Sequence, residues 1–377
     1  MGFLFSKFSS YLVYAAVQHN VNANLDVNVS YDGYCKFLDK SQPASLSKYV
    51  AEKPFYIQDL RDCDSLEALG LIERTNKVIV ISTHTPLKPF LIKLQKKSLD
   101  LFMIEPFVHI VYGANMKDEG ELSEMRSTAE KVGSNFRRIP IEVHKERRCL
   151  FPETKNIGND FSTRACDTFQ YMFRDATTFC SKSLVLELDA DVMLIRPLNV
   201  SLELGSSNLA GLQQMRQFHT EGLETIVRYL WSPVVFFNMN GFPGRSDFNF
   251  DVGGVEVSGI KISETELYLD AGGMTYTWMA RHRPNITWLE EALLTDARFS
   301  KLIDVEKLIP HLKQNNMMGA FEHAQILGGK FIHLRNAGGW RGNSTLSGAT
   351  TYQIISRFIS DAHKAYGLGN RTHSTKT

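Results

Sequence analysis

LVLELDADVMLIRPL, residues Leu184–Leu198, is a mostly apolar run interrupted by three acids and Arg196, and two of the acids, Asp189 and Asp191, stand one residue apart. A run of this kind, bounded by polar segments, predicts a buried strand. Read as one extended strand, it turns Asp189 and Asp191 the same way and Ala190 back into the protein, because side chains alternate faces. Two carboxylates held so close repel each other unless a cation lies between them. An oxygen pair suits Mg2+ or Mn2+ shared with substrate phosphates. The competing reading makes both aspartates turn formers at a strand end. The apolar Val192–Ile195 that follows, with no Gly, Asn or Ser, speaks against it.

On either side of this run, strands and helices alternate. Upstream lie KVIVIST (Lys77–Thr83), a helical stretch PLKPFLIKLQKKSLD, FVHIVYG (Phe107–Gly113), an acidic helix ELSEMRSTAEKV and a short strand RRIPIEV (Arg137–Val143). A helix then opens at Asn159, Asp160 and Ser162, with Cys166, Phe169, Phe173, Ala176 and Cys180 on one apolar face. Its opposite face carries Arg164, Asp167 and Gln170 near the end where free amides favour an anion. Downstream, NLAGLQQM (Asn208–Met215) and YLWSPVVFFNM (Tyr229–Met239) read as strands, and residues 240–273 as hairpins and loops. A helix over Met274–His282 precedes WLEEALLTDARFSKLI, and a last amphipathic helix lies near Thr351–Ala365. This alternation predicts an α/β fold, a mostly parallel central sheet with helices on both faces and a smaller β/loop region. Residues 1–50 form a weakly patterned lead-in, 51–365 a single domain and 366–377 a disordered tail.

Composition narrows the function. With 43% hydrophobic and 22% charged residues the chain is an ordinary globular protein, and a net charge of +1 gives no basic field for nucleic acid. Five cysteines, odd in number and without C-x-x-C spacing, fit neither a zinc knuckle nor a disulfide framework and suit a reducing, cytoplasmic setting. The apolar stretch Tyr11–Val17 is too short to span a bilayer.

Asp189-Ala190-Asp191, behind the strand Leu184–Leu188 and several βα units, resembles the D-x-D motif of nucleotide-sugar glycosyltransferases of the GT-A fold. The resemblance covers roughly Lys77–Gly342 and implies a divalent ion, Mn2+ or Mg2+, held by Asp189 and Asp191 on the pyrophosphate of a nucleoside-diphosphate sugar. A glycan, lipid or protein would accept the sugar. FIHLRNAGGWRG (Phe331–Gly342) is similar to the C-terminal H-x-x-G-x-x-K-P-W segment of family 8 glycosyltransferases, which implies that His333 is the third metal ligand. It departs from that segment at Asn336, where glycine is expected, and lacks the Lys-Pro pair. Gly338, beside Gly339, would allow close backbone approach to a phosphate or sugar. The same likeness implies that Thr83, in the turn Ser82–Pro86, walls the nucleotide and that Arg164 meets the diphosphate or ribose. Asp270, in LDAGGMTYTWM, is the candidate to contact the donor sugar or deprotonate an acceptor hydroxyl; otherwise it caps a turn. Two other classes compete. A haloacid-dehalogenase-type phosphohydrolase would use Asp189 as nucleophile, but Met193 stands where Thr or Val is expected, and that motif normally opens its domain whereas here four or more elements precede it. A non-catalytic domain of the same fold would bind a glycan or a protein.

Overall fold

The computed structural model describes residues 78–140 other than 87, 115 and 117, and residues 160–178, 184–250 other than 221 and 222, 268–293, 324–335 and 348–366. Short strands are also described at Val27–Asn28, Cys35–Phe37, Arg147–Cys149, Gly253–Gly254 and Glu256–Val257.

The chain begins its main fold with β1 (Val78–His84), α1 (Phe90–Phe102), β2 (Phe107–Gly113), α2 (Glu119–Lys131) and β3 (Asn135–Arg138). Then come α3 (Asp160–Thr178), β4 (Leu184–Leu188), β5 (Val192–Leu194), α4 (Val200–Leu204), β6 (Leu209–Thr220) and β7 (Leu223–Asn238). The last elements are α5 (Thr275–His282), β8 (Ile286–Leu289), β9 (Glu291–Leu293), β10 (Gln325–Leu327), β11 (Phe331–His333) and α6 (Gly348–Ala365).

Seven strands form the central sheet in the order β8-β6-β7-β4-β1-β2-β3. Only β7 is antiparallel to its two neighbours, and the other pairs are parallel. The fold is therefore α/β with a mostly parallel sheet. All seven residues of β1 are buried, as expected of a strand covered on both faces. Alternate residues divide between two cores. Val80, Leu186, Leu188, Val234 and Phe236 face α1, α6 and β10–β11. Ile79, Ile81, Val185, Val235 and Phe237 face α3 and the Trp278 of α5. In the second core Phe173 lies against Phe248 at 4.6 Å and Phe237 at 5.1 Å between ring centroids. Truncating Phe173 to Ala would cost about 3–5 kcal/mol on the usual scale for buried aromatics.

A second sheet, in the order β9-β10-β11-β5, is antiparallel throughout. Here the structure corrects the reading of Leu184–Leu198 as one strand. The run divides between the two sheets: β4 lies in the central sheet and β5 pairs with β11. Between them the amide of Val192 donates to the carbonyl of Asp189 at 3.2 Å, so residues 189–192 make a tight turn. Pairing of Val192–Leu194 with Phe331–His333 satisfies the backbone of the second half and pulls it out of line with the first.

Two further expectations are corrected. Asp167 and Gln170, on the face of α3 expected to favour an anionic ligand, are buried. Gln170 donates to the Phe248 carbonyl at 3.1 Å and accepts from the Phe250 amide at 2.7 Å, pinning the loop that covers the helix. The strand expected at Arg137–Val143 begins at Asn135 and ends at Arg138, because its register on β2 runs from Ile110–Asn135 to Gly113–Arg138. Residues 141–143, the lead-in apart from its two short strands, and residues 367–377 lie outside the described residues.

Candidate metal centre

The order in which strands were added to the sheet fixes where a ligand fits. From β1 the chain moves outward to β2 and β3, then returns to place β4 on the other side of β1. The direction of strand addition thus reverses between β4 and β1, and open α/β sheets bind ligands beyond the carboxyl ends of the strands at such a point. At those ends stand Thr83 and His84 on β1 and the Asp189–Asp191 turn on β4.

Asp189, Asp191 and His333 converge there. One ligand-type atom from each lies within 4.8 Å of the others, and they form the group capable of holding a metal among the described residues. Backbone pairing brings His333 to the aspartates: it is opposite Val192 in the β11–β5 ladder, and the Leu334 amide donates to the Asp191 carbonyl at 2.9 Å. His333 Nε2 lies 3.2 Å from Asp191 Oδ1.

The protonation of the ring follows from its other side. His333 Nδ1 is 3.1 Å from Gln325 Oε1, and an amide oxygen only accepts, so Nδ1 carries the proton. In the neutral ring Nε2 then offers a lone pair toward Asp191 Oδ1. That oxygen is buried and accepts no hydrogen bond. With the ring neutral, two acceptors would face each other beside the half-buried Asp189, an arrangement that fits a divalent ion bound by two carboxylates and an imidazole. Gln325 would act as the partner that orients the ring.

The Asp189 carboxyl is pushed up to about 6, chiefly by burial and then by the Asp191 carboxylate; His333 and the Ala190 amide pull the other way. That amide donates to Asp189 Oδ1 at 2.7 Å. Burial lowers the Lys88 ammonium and the charge of Asp191 counters it, which places a cation within electrostatic reach of the acids. Arg335, two residues past His333, stacks its guanidinium over Trp231 at 5.8 Å, and the Trp231 ring meets His333 edge-on at 5.7 Å. A group that could hold a metal, with Lys88 in electrostatic reach of Asp191, could also take a metal-bound anion such as a diphosphate.

Of the remaining sequence candidates, Thr83 is buried at the end of β1, opposite Tyr112. Asp270 stands apart from the Asp189–Asp191–His333 group. It is half-buried, its Oδ1 accepts from the Ala271 amide at 2.8 Å, and its own amide donates to the Tyr229 hydroxyl at 3.3 Å. The following Gly272 has φ +90°, and a Cβ there would lie 1.9 Å from the Leu230 carbonyl oxygen, so this turn admits only glycine. Arg164 lies in α3, its side chain outside what the structure describes, and Gly338 is outside the described residues.

Sequence reasoning missed Gln325, Trp231, Arg335 and Lys88. A signal for Gln325 was present. QIL and FIH flank Gly328-Gly329, both at positive φ, and such a hairpin places Gln325 opposite His333.

Neither a protein-family model nor a curated protein matches the sequence. Among solved structures it is similar to the galactosyltransferase LgtC in complex with donor and acceptor sugar analogs. Identity there is 14% and TM-score 0.28, over 43% of this chain and 58% of that one. An active-site mutant of LgtC gives 15% identity and TM-score 0.28, over 43% and 57%. The apo form of the glycosyltransferase GlyE from Streptococcus pneumoniae gives 14% identity and TM-score 0.28, over 65% and 51%. The chain thus spans little more than half the length of each of these proteins. At such TM-scores the functional reading rests on the residues of this chain.

Proposed function

We propose that the chain is a metal-dependent glycosyltransferase of GT-A-like fold that moves a sugar from a nucleoside-diphosphate sugar to an acceptor hydroxyl. The observation that carries this reading is the buried Asp191 oxygen without a hydrogen-bond partner, 3.2 Å from His333 Nε2, at the switch point of an α/β sheet. Asp189, Asp191 and His333 would hold Mn2+ or Mg2+, which when bound offsets the charge that builds on the departing diphosphate.

The chain's own groups then have distinct tasks. Lys88 and Arg335 attract the anionic donor, and Thr83 stands where a nucleotide entering over β1 would pass. In the transfer, the bond from the anomeric carbon to the phosphate oxygen breaks and one to the acceptor oxygen forms. The acceptor proton leaves to a base, for which Asp270 is the candidate on this chain.

The test is a screen of UDP- and GDP-sugars for slow hydrolysis with and without Mn2+, which needs no acceptor. The reading expects release of nucleoside diphosphate from at least one donor only with metal. Absence of release from every donor, or release equal in chelator, counts against it.

A further inference from the structure

The turn that carries Asp189 and Asp191 is gripped from behind by a side chain of α1. Gln95, wholly buried, sends its amide nitrogen to the Asp189 carbonyl at 2.9 Å and to the Val192 carbonyl at 3.0 Å. These are the two residues that close the turn on each other. Carbonyls only accept, so the Gln95 NH2 must face them and its Oε1 must face His84, 3.0 Å away at Nε2.

That orientation fixes every later bond in a buried chain. His84 Nε2 carries the proton, because the amide oxygen accepts. Ser82 Oγ, 3.1 Å from the same nitrogen, therefore also accepts from it and turns its own hydrogen to His109 Nε2 at 2.8 Å. His109 is left with its proton on Nδ1, which donates to Ser134 Oγ at 2.9 Å. Both rings must be neutral for this to hold, and burial keeps them so: His84 is lowered to about 4 and His109 well below the ordinary histidine value. The chain has a single direction from Gln95 to the far side of β2, so rotating the Gln95 amide would break it at its first link.

We infer that Gln95 is a positioning residue for the metal centre, locking the Asp189–Val192 turn so that the two carboxylates meet His333 without rearrangement. This rests on the metal-site reading above. A side chain that holds both ends of a ligand-bearing turn lowers the reorganisation needed on binding. Ser98, one turn further along α1, serves as the contrast. Its hydroxyl accepts from the Leu194 amide at 3.1 Å and so ties α1 to β5 beyond the turn.

The experiment titrates the full-length protein with Mn2+ alone, by calorimetry, in the parent and in Gln95→Met, Gln95→Glu and Ser98→Ala, with the melting temperature of each. Gln95→Glu keeps the size and the oxygen facing His84 but removes the amide donors, which covers the event that Gln95→Met does not fold. Mn2+ affinity should fall about 10-fold or more in the Gln95 variants, the range for groups that orient ligands. In Ser98→Ala it should stay within about twofold of the parent while the melting temperature drops. Parental Mn2+ affinity in a folded Gln95 variant, or an equal loss in Ser98→Ala, overturns the inference. A parent that does not bind Mn2+ overturns the metal reading itself.

Discussion

The amide of Leu334 donates to the carbonyl of Asp191 at 2.9 Å, so a main-chain bond joins the segment carrying His333 to the turn carrying the acids. The geometry of the Asp189–Asp191–His333 group therefore depends on pairing between β5 and β11, and changes in these side chains leave the backbone frame in place. Ligand substitutions can thus be read as changes in chemistry.

Replacing His333 by Ala should weaken Mn2+ binding by well over the loss seen when Gln325 becomes Met. The Gln325 change removes the acceptor that holds His333 Nδ1–H, along with the amide donor 3.4 Å from Glu291 Oε2, and should cost about 10- to 100-fold. Mn2+ titration of both variants checks the order, and equal affinity of His333→Ala and the parent would make the histidine structural.

Asp270 separates chemistry from binding. Its Oδ1 accepts a backbone amide, a bond that asparagine can also make, so Asp270→Asn should fold like the parent. If Asp270 serves as the base, transfer falls about 10²- to 10⁴-fold while Mn2+ and nucleotide affinity hold. Transfer at the parental rate assigns the residue to its turn and leaves the base elsewhere.

Glu187 is fully buried in β4, flanked by Ile81 and Val235, and neither carboxyl oxygen has a hydrogen-bond partner. Desolvation, and then the charge of Asp189, raises its carboxyl well above the ordinary range. An unsatisfied buried polar group costs about 1–3 kcal/mol, so Glu187→Met, close in size, should stabilise the protein by about that much in denaturant unfolding. A loss of stability would mean the carboxyl has a partner role that the fold depends on.

His84 predicts a pH dependence with a definite sign. The folded ring stays neutral down to about 4, whereas the unfolded one takes a proton below about 6.5. The unfolded chain then binds more protons, so stability tied to this ring is complete above about pH 6.5 and is lost as pH falls toward 4. Relative to His84→Asn, the parent should lose on the order of 3 kcal/mol between pH 7 and pH 4. A stability difference that does not change over that window contradicts the buried neutral ring.

Much of the fold was legible because β1, β2 and the buried face of α3 follow periodicities that local sequence alone sets. FVHIVYG matches β2 residue for residue. Long-range pairing was not legible. Nothing within Leu184–Leu198 announces that Val192–Leu194 will pair with Phe331–His333, so the turn at Asp189 was invisible and the convergence of the acids was derived from the wrong local geometry. The polar face of α3 misled for a related reason, since Gln170 finds its partners on Phe248 and Phe250, far along the chain, and not on an anion. Gln95 carried no local signal at all, because a glutamine among lysines on a helix reads as surface.

The most direct measurement of the central claim is the binding of UDP and GDP by calorimetry, with Mn2+ and with chelator, to the parent and to Asp191→Ala. The account predicts affinity for at least one nucleotide in the parent only when Mn2+ is present, and loss of that metal-dependent binding in Asp191→Ala with its fold intact. Equal nucleotide affinity with Mn2+ and with chelator in the parent, or undiminished metal-dependent binding in Asp191→Ala, would contradict it.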